Sequence, residues 1–461
     1  MLKIGIECHV QLLTSSKLFC SCPTRGNEGP NTRVCPTCLG HPGAKPVLNK
    51  KAVYDGIKIA LALNCRLPKE FYFSRKGYFY PDLPSNYQRT QYEISLAGEG
   101  YMNIEARKIR VRRINLEEDP GRLVHPGKDI SKASYVLIDY NRAGIPLCEI
   151  VTDPDFTTTR EVRIFLQRMS IILENYLKVF DSSLEGSLRV DANISTQGAR
   201  VEIKNITSFK DVEDALNYEI KRQGSNLPEI QETRGWDSVK KATYLLRTKE
   251  TEEDYGFIFE NDLVKTEITQ DMINEIGKEI PELAFNKVNR YIEIYKIDKE
   301  DAEVIAHDPK FAELFEYCAE KVDPVLAARW LRRDLMRQLN LANKKIEEVN
   351  LNKEHVLELM LLLQERKITD NTAKEILIKL MEKPFSPKEY IEKSKLVMES
   401  DVDKIEEICL KVIKENKNAV DDYRKGEEKA FNFLVGKVMS LTRKTANPDL
   451  VKRILERLIK K

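Results

Sequence analysis

The sequence predicts an α+β protein: a glycine-rich body of strands and loops, followed by an almost wholly helical region. Two observations carry this. More than half of the 20 glycines precede Gly144, and none lies between Gly277 and Gly426. From about residue 285 apolar residues recur at helical spacing, in VNRYIEIYKI, DAEVIAHDPKFAELFEYCAEK, DPVLAARWLRRDLMRQLNLANKK and KEHVLELMLLLQERK. The front half instead holds short alternating stretches typical of strands. A chain of 461 residues has room for roughly two to four domains with ample core.

The first element, Ile4-Gly-Ile-Glu7-Cys-His9-Val-Gln-Leu12, alternates as a strand does. Glu7 and His9 fall on one face, and Ile4, Ile6, Cys8 and Val10 on the other. Cys8 and His9 therefore face opposite ways and do not form a nucleophile–base pair. Cys20, Cys22, Cys35 and Cys38 follow as C-x-C and C-x-x-C, two close thiolate pairs suited to a tetrahedral zinc knuckle over 20–38. Reduced buried thiols or a disulfide would satisfy the same spacing. Four sulfurs close the coordination sphere, so such a zinc is structural. Residues 49–64 carry the apolar periodicity of one amphipathic helix. Between Ser74 and Tyr92, aromatics including Tyr80 interleave with Arg75, Lys76 and Arg89. That pattern suits stacking a base and neutralising phosphate, and equally suits an aromatic turn packed on a sheet.

In the stretch from Arg113 to Val151, a strand-like run ends in Glu117, Glu118 and Asp119, and a Pro-Gly turn and basic loop follow. The chain returns as an apolar strand, turns at Asn141 to Gly144, and re-enters as a second strand carrying Glu149. Carboxylates among strands cost solvation and repel one another, so they need a cation, a basic partner or water. Glu7, His9, Glu118 and Glu149 together would make an oxygen-rich Mg²⁺ site with one imidazole. The alternative is unrelated surface charges and a hydrogen-bonded histidine.

Further on, one alternating strand aligns Arg189, Asp191, Asn193 and Ser195, and its partner aligns Glu202 with Lys204. These form either a solvated ladder or the floor of a polar ligand site. In the helical part, Asp301 and Asp323 stand where N-caps are expected, and Cys318 and Trp330 read as core. Residues 424–461 hold eleven basic and four acidic side chains. This is a solvated helix face or a patch for a phosphate backbone, with Lys437, Arg443, Lys444, Lys452 and Arg453 as its candidates.

A formal charge of +2, from 75 basic and 73 acidic residues, excludes a bulk polyelectrolyte, so any nucleic-acid surface is a local patch. No apolar run approaches a membrane span, and the first residues read as a strand, not a signal peptide. Nine cysteines, four of them at metal-ligand spacing, point to a reducing cytoplasm.

Eight stretches, in order, resemble the B subunits of tRNA-dependent amidotransferases: IGIECHVQLLT, CPTCLGHPGAKPVLN, SRKGYFYPDLP, INLEEDPGRLVH, DYNRAGIPLCEIV, EGSLRVDANIS, EIKNITSF and FLVGKVMSLTRKTANPDLV. The related E type, which pairs with an asparaginase-like partner, carries a large insertion before its helical part that does not fit here. The resemblance implies ATP-dependent amidation of Glu-tRNA(Gln) or Asp-tRNA(Asn). It implies a β-rich cradle (1–290), a helical domain (291–400) and a small tRNA-binding tail domain (401–461). Magnesium would be held by His9, Glu118 and Glu149 with Glu7 nearby, and zinc by the four cysteines. Arg75, Lys76 or Arg189 would neutralise the transferring phosphoryl group, and Asp191 would orient a second metal or receive the proton released by ammonia. Glu7 would alternatively line an ammonia entrance, and Tyr80, Asn193, Ser195 and Lys204 would line the ATP or substrate site. A glutaminase A subunit would supply ammonia, and a small C subunit would complete the assembly. One stretch departs: relatives read DYRYFPEPDL where this chain has DYGFIFENDL from Asp254 to Leu263. The lost arginine leaves Arg247 or Lys249 as substitutes. Two rival readings are a non-catalytic tRNA adaptor and a metal-dependent hydrolase that needs neither ATP nor tRNA.

Overall fold

The computed structural model describes the chain apart from residues 1, 27–28, 106, 126–134, 185, 249–254, 395–401, 443–444 and 461. Arg443, Lys444, Lys249, Asp254 and the expected border near residue 400 lie outside the described residues. Two compact units result, Met1–Leu283 and Ala284–Lys461. Their boundary precedes residue 290 because the helix Ala284–Ile294 buries Tyr291 in the core of the second unit.

The first unit is built on an eight-stranded sheet. Its strands in chain order are β1 (Lys3–Gln11), β2 (Ala97–Ile104), β3 (Arg107–Glu118), β4 (Pro146–Thr152), β5 (Leu188–Ser195), β6 (Val201–Ile206), β7 (Glu232–Asp237) and β8 (Ala242–Thr248). The spatial order is β8-β7-β6-β5-β1-β4-β3-β2, antiparallel except between β6 and β7. The first strand in sequence thus lies in the middle, paired on both sides. One face of the sheet is apolar: Ile4, Ile6, Cys8 and Val10 of β1 join Ile114, Leu116, Cys148, Ile150, Val190 and Ala192 in a single core. That core is completed by α1 (Lys50–Ala62), α2 (Thr159–Ile171) and α3 (Phe209–Ser225).

Local sequence explains these helices. Asn49 caps α1 through Ala52, and Ser208 caps α3 through Asp211. Thr158 and Glu161 form a reciprocal capping box on α2. Where β2 crosses the end of α1, a Cβ on Gly100 would fall against Cys65 Sγ and 2.7 Å from the Leu63 carbonyl oxygen. Gly100→Ala is expected to cost about 1–3 kcal/mol, seen as a lower urea midpoint with an unchanged slope. An unchanged midpoint would mean that the strand shifts freely.

The second unit is helical and has two hydrophobic cores. One is formed by residues between Tyr291 and Ile391, including Cys318 and Trp330, the other by residues between Ile405 and Ile459. Asp323 caps its helix through Val325, as its position suggests. Asp301 does not cap. Asp298 takes that role by accepting from the Asp301 amide at 2.8 Å, while the Asp301 side chain is buried against Arg332 at 2.7 Å. Among the described residues no helix is long and apolar enough to cross a membrane.

Candidate active site

The opposite face of the sheet is charged, and strand register decides which charges meet. Glu149 of β4 stands directly across from His9 of β1, and Asn115 of β3 across from Glu149. On the other side of β1, Arg189 faces His9 and Asp191 faces Glu7. Alternate residues share a face, so these side chains and Glu117 gather on one floor. A ligand atom from each of Glu7, His9 and Glu149 lies within 4.8 Å of the others.

The contacts within this floor are specific. His9 reaches Glu117 through Nδ1 at 2.9 Å and Glu7 through Nε2 at 3.2 Å. Asn115 Nδ2 donates to Glu149 at 2.7 Å. Arg189 donates to Asp119 at 2.8 Å, and Lys204 binds both Asp191 at 3.1 Å and Glu202 at 3.0 Å. Between Ile203 and Ile206 the pairing with β5 slips by one residue, a bulge that turns the strand beside Lys204.

Electrostatics follow from burial and crowding. Burial, then the charges of Glu7 and Glu117, pushes Glu149 up to about 8. Burial would also raise Glu7 and Glu117, but the His9 hydrogen bonds and charge hold both below the usual carboxylate range. Burial alone would discharge His9, yet these two carboxylates keep its pKa well above the ordinary value. Burial raises Asp191 despite the neighbouring Lys204. The floor is thus a set of acids sharing too few cations.

These residues fit a divalent cation. Two carboxylates and one imidazole nitrogen converge, and the buried Oδ1 of Asn115 has no hydrogen-bond partner among the described residues. Oxygen-rich sites of this kind suit Mg²⁺, which also keeps positions for water and phosphate oxygens. Glu118 departs from the expected ligand set. Glu117 and Glu118 are neighbours on a strand and point different ways. Glu118 accepts from the Arg89 amide at 2.9 Å and from its guanidinium at 3.1 Å. Glu117, read from the sequence only as part of the acidic run, is the one that meets His9. Its period-two relation to Asn115 was the available signal.

Arg75 also departs from the phosphoryl-facing role expected of it. Its Nε donates to Glu260 at 2.8 Å, Asp262 lies at 3.3 Å, and its guanidinium rests on the Tyr87 ring. Lys76 sits 4.5 Å over the Tyr255 ring. Tyr80 is exposed (56 %). Asn193 and Ser195 share the floor's side of β5 but stand across from Gly5 and Lys3, and the Ser195 hydroxyl donates to Gly198. The divergent stretch closes a ribbon, since Ile258–Phe259 pairs with Ser74–Gly77 and Phe257 stacks on Tyr92 at 4.0 Å. Gly256 there has φ +50°, open to glycine. Arg247 stands on the edge strand β8, across from Thr233.

The four cysteine sulfurs lie within 4.8 Å of one another, a donor set that fits tetrahedral Zn²⁺. Hydrogen bonding with Cys20 draws the Cys38 thiol down to about 5. Cys8 is fully buried and its thiol is pushed well up by burial, consistent with a core role. In the tail, Arg424 donates to the Ile459 carbonyl and Arg457 pairs with Glu406, so both are used internally. Lys437 lies 5.4 Å over the half-exposed Phe433 ring, and Lys452 and Arg453 project from the exposed side of the last helix.

Comparison with known families agrees with this picture. Residues 2–274 match the model of the GatB/GatE catalytic domain, and residues 313–459 match the model of the GatB domain. Fold and site thus define a component of an amidotransferase. The chain is 42 % identical to the B subunit of the aspartyl/glutamyl-tRNA(Asn/Gln) amidotransferase of Thermotoga maritima, over 99 % of this chain and 98 % of the relative. The corresponding protein of Caldanaerobacter subterraneus is 42 % identical over 99 % of both chains, and that of Carboxydothermus hydrogenoformans 41 % over 98 % and 97 %. The chain belongs to the family of aspartyl/glutamyl-tRNA(Asn/Gln) amidotransferase B subunits.

Proposed function

We propose that this chain amidates the side-chain carboxylate of a misacylated tRNA, Glu-tRNA(Gln) or Asp-tRNA(Asn), at the charged floor of its first unit. The observation that carries the reading is the convergence of Glu7, His9 and Glu149 on one sheet face, flanked by Arg189 and Lys204. A carboxylate does not accept ammonia at neutral pH, because oxide would have to leave. Transfer of the ATP γ-phosphoryl group makes an acyl phosphate, from which ammonia displaces phosphate. Both steps gather negative charge, so the site needs positive charge more than a protein nucleophile. A bound Mg²⁺ would neutralise phosphate oxygens. Glu7, His9 and Glu149 would hold it. Glu117 orients His9 through Nδ1, and Asn115 orients Glu149. Arg189, fixed by Asp119, and Lys76 stand for the phosphoryl charge. Asp191, raised by burial, would take the proton that attacking ammonia sheds.

Ammonia would come from a glutaminase A subunit, joined by a small C subunit, in a cytoplasmic complex. The cradle, helical and tail parts would divide the work, with Lys437, Lys452 and Arg453, together with Arg443 and Lys444 that follow Lys437 in sequence, meeting the tRNA backbone. The four cysteines would hold a structural Zn²⁺. Cys35→Ser is expected to lower the thermal midpoint by several degrees and to abolish the midpoint's response to a chelator. A wild-type midpoint that ignores the chelator would mean the thiols are merely packed.

The deciding experiment is γ-phosphate release from ATP by this chain with its A and C partners, with and without Glu-tRNA(Gln). Release that requires the charged tRNA, with amide formed in step, supports the reading. Release without tRNA would indicate a hydrolase. No release despite tRNA binding would indicate an adaptor.

A further inference from the structure

Lys17 is fully buried, an unusual place for a lysine. Its ammonium has three N–H groups and meets three acceptors: the Arg33 carbonyl at 2.8 Å, the Tyr140 carbonyl at 3.3 Å and Cys38 Sγ at 3.5 Å. One cation therefore touches both walls of a seam, the cysteine knuckle on one side and the 139–144 turn on the other. Gly144, at φ +85°, packs here too: a Cβ on it would come 3.4 Å from Lys17 Cδ and 3.6 Å from Cys38 Cβ.

Further bonds stitch the same seam. Asn141 accepts from the Arg33 amide at 2.7 Å and donates to the Gly29 carbonyl at 2.9 Å. The far side of the turn grips the active site. Gly144 N donates to the Asp119 carbonyl at 2.8 Å, Arg142 donates to the carbonyls of Pro120 and Gly121, and Arg142 Nε lies 3.7 Å from the Asp119 carboxylate. The other oxygen of that carboxylate holds Arg189 at 2.8 Å, beside His9.

We infer that Lys17 is a positioning residue that clasps the four-cysteine centre to the 139–144 turn and, through Asp119, sets Arg189 on the catalytic floor. The inference rests on the proposed phosphoryl-facing role of Arg189 and on a zinc-loaded knuckle. The ammonium also offsets the excess negative charge of four thiolates around one divalent ion. Filling of the knuckle and the setting of Arg189 are thereby linked, although four sulfurs leave the zinc no chemistry of its own.

The test uses Lys17→Met, close in volume and uncharged, in the full chain with its partner subunits and saturating zinc. Zinc release to a chromogenic chelator is expected to speed up at least about tenfold, and the KM for ATP to rise about tenfold while circular dichroism stays native. Zinc release within twofold of wild type, or an unchanged KM for ATP, overturns the inference. Asn141→Ala cuts the stitch without touching a sulfur, so it should raise the KM for ATP and leave zinc release unchanged. If Lys17→Met does not fold, this variant decides, and a wild-type KM overturns the coupling. Two controls separate the underlying reading: a wild-type chain that takes up no zinc, or Arg189→Ala with normal KM and kcat, would refute that reading itself.

Discussion

Glu149→Ala is expected to cut tRNA-dependent release of γ-phosphate about 10³-fold, the scale of losing one preorganised electrostatic group. The carboxylate stands across from His9 and is oriented by Asn115 at 2.7 Å. Glu118, held by Arg89, is not among the converging ligand atoms and does not take its place. Folding should survive. Burial and the charges of Glu7 and Glu117 push Glu149 up to about 8, and its ion pair with Arg113 is long at 3.9 Å, so little attraction is lost with it. The variant is expected to unfold within about 1 kcal/mol of wild type in urea while Mg²⁺-supported turnover collapses. Wild-type turnover in Glu149→Ala would remove the metal cradle from the mechanism.

The second large effect is one of stability. Arg89 is 4 % exposed and bonds two carboxylates at once, Glu118 at 3.1 Å and Glu260 at 3.1 Å. Glu260, itself fully buried, also accepts from Arg75. Arg89→Ala leaves both acids without their shared cation, and removal of one partner from a buried ion network costs about 3–5 kcal/mol. The double variant Arg89→Ala with Glu118→Gln should regain part of that loss, because Glu260 keeps Arg75 whereas Glu118 is the charge left stranded. Denaturant unfolding of the two variants provides the check. A cost below about 1 kcal/mol would mean that water solvates the network.

The period of two placed Glu7 and His9 opposite Ile4, Ile6, Cys8 and Val10 without any structure, since alternation is local. Cysteine spacing likewise identified the knuckle. What sequence could not reveal is pairing between distant segments. That Glu149 meets His9, or that Arg75 is taken by Glu260 and not free for phosphate, depends on strands far apart in the chain. Glu117 and Glu118 show the intermediate case. Strand parity separates them, but which of the two faces the floor depends on the partner strand. Asp298 and Asp301 both suit a helix start, and only the Arg332 that buries Asp301 distinguishes them.

His9 and Glu7 project from a strand hydrogen-bonded on both flanks, and their immediate neighbours Cys8 and Ile6 are core. Charged row and core row are thus two halves of a single zipper. Deleting one residue from β1 would not weaken the site by degrees. It would swap the rows, driving carboxylates into the oil and isoleucines onto the charged side, so the site and the fold would fail in one step. Such a strand can vary by replacement but not by change of length, whereas the turns that join these strands can lengthen without disturbing either row.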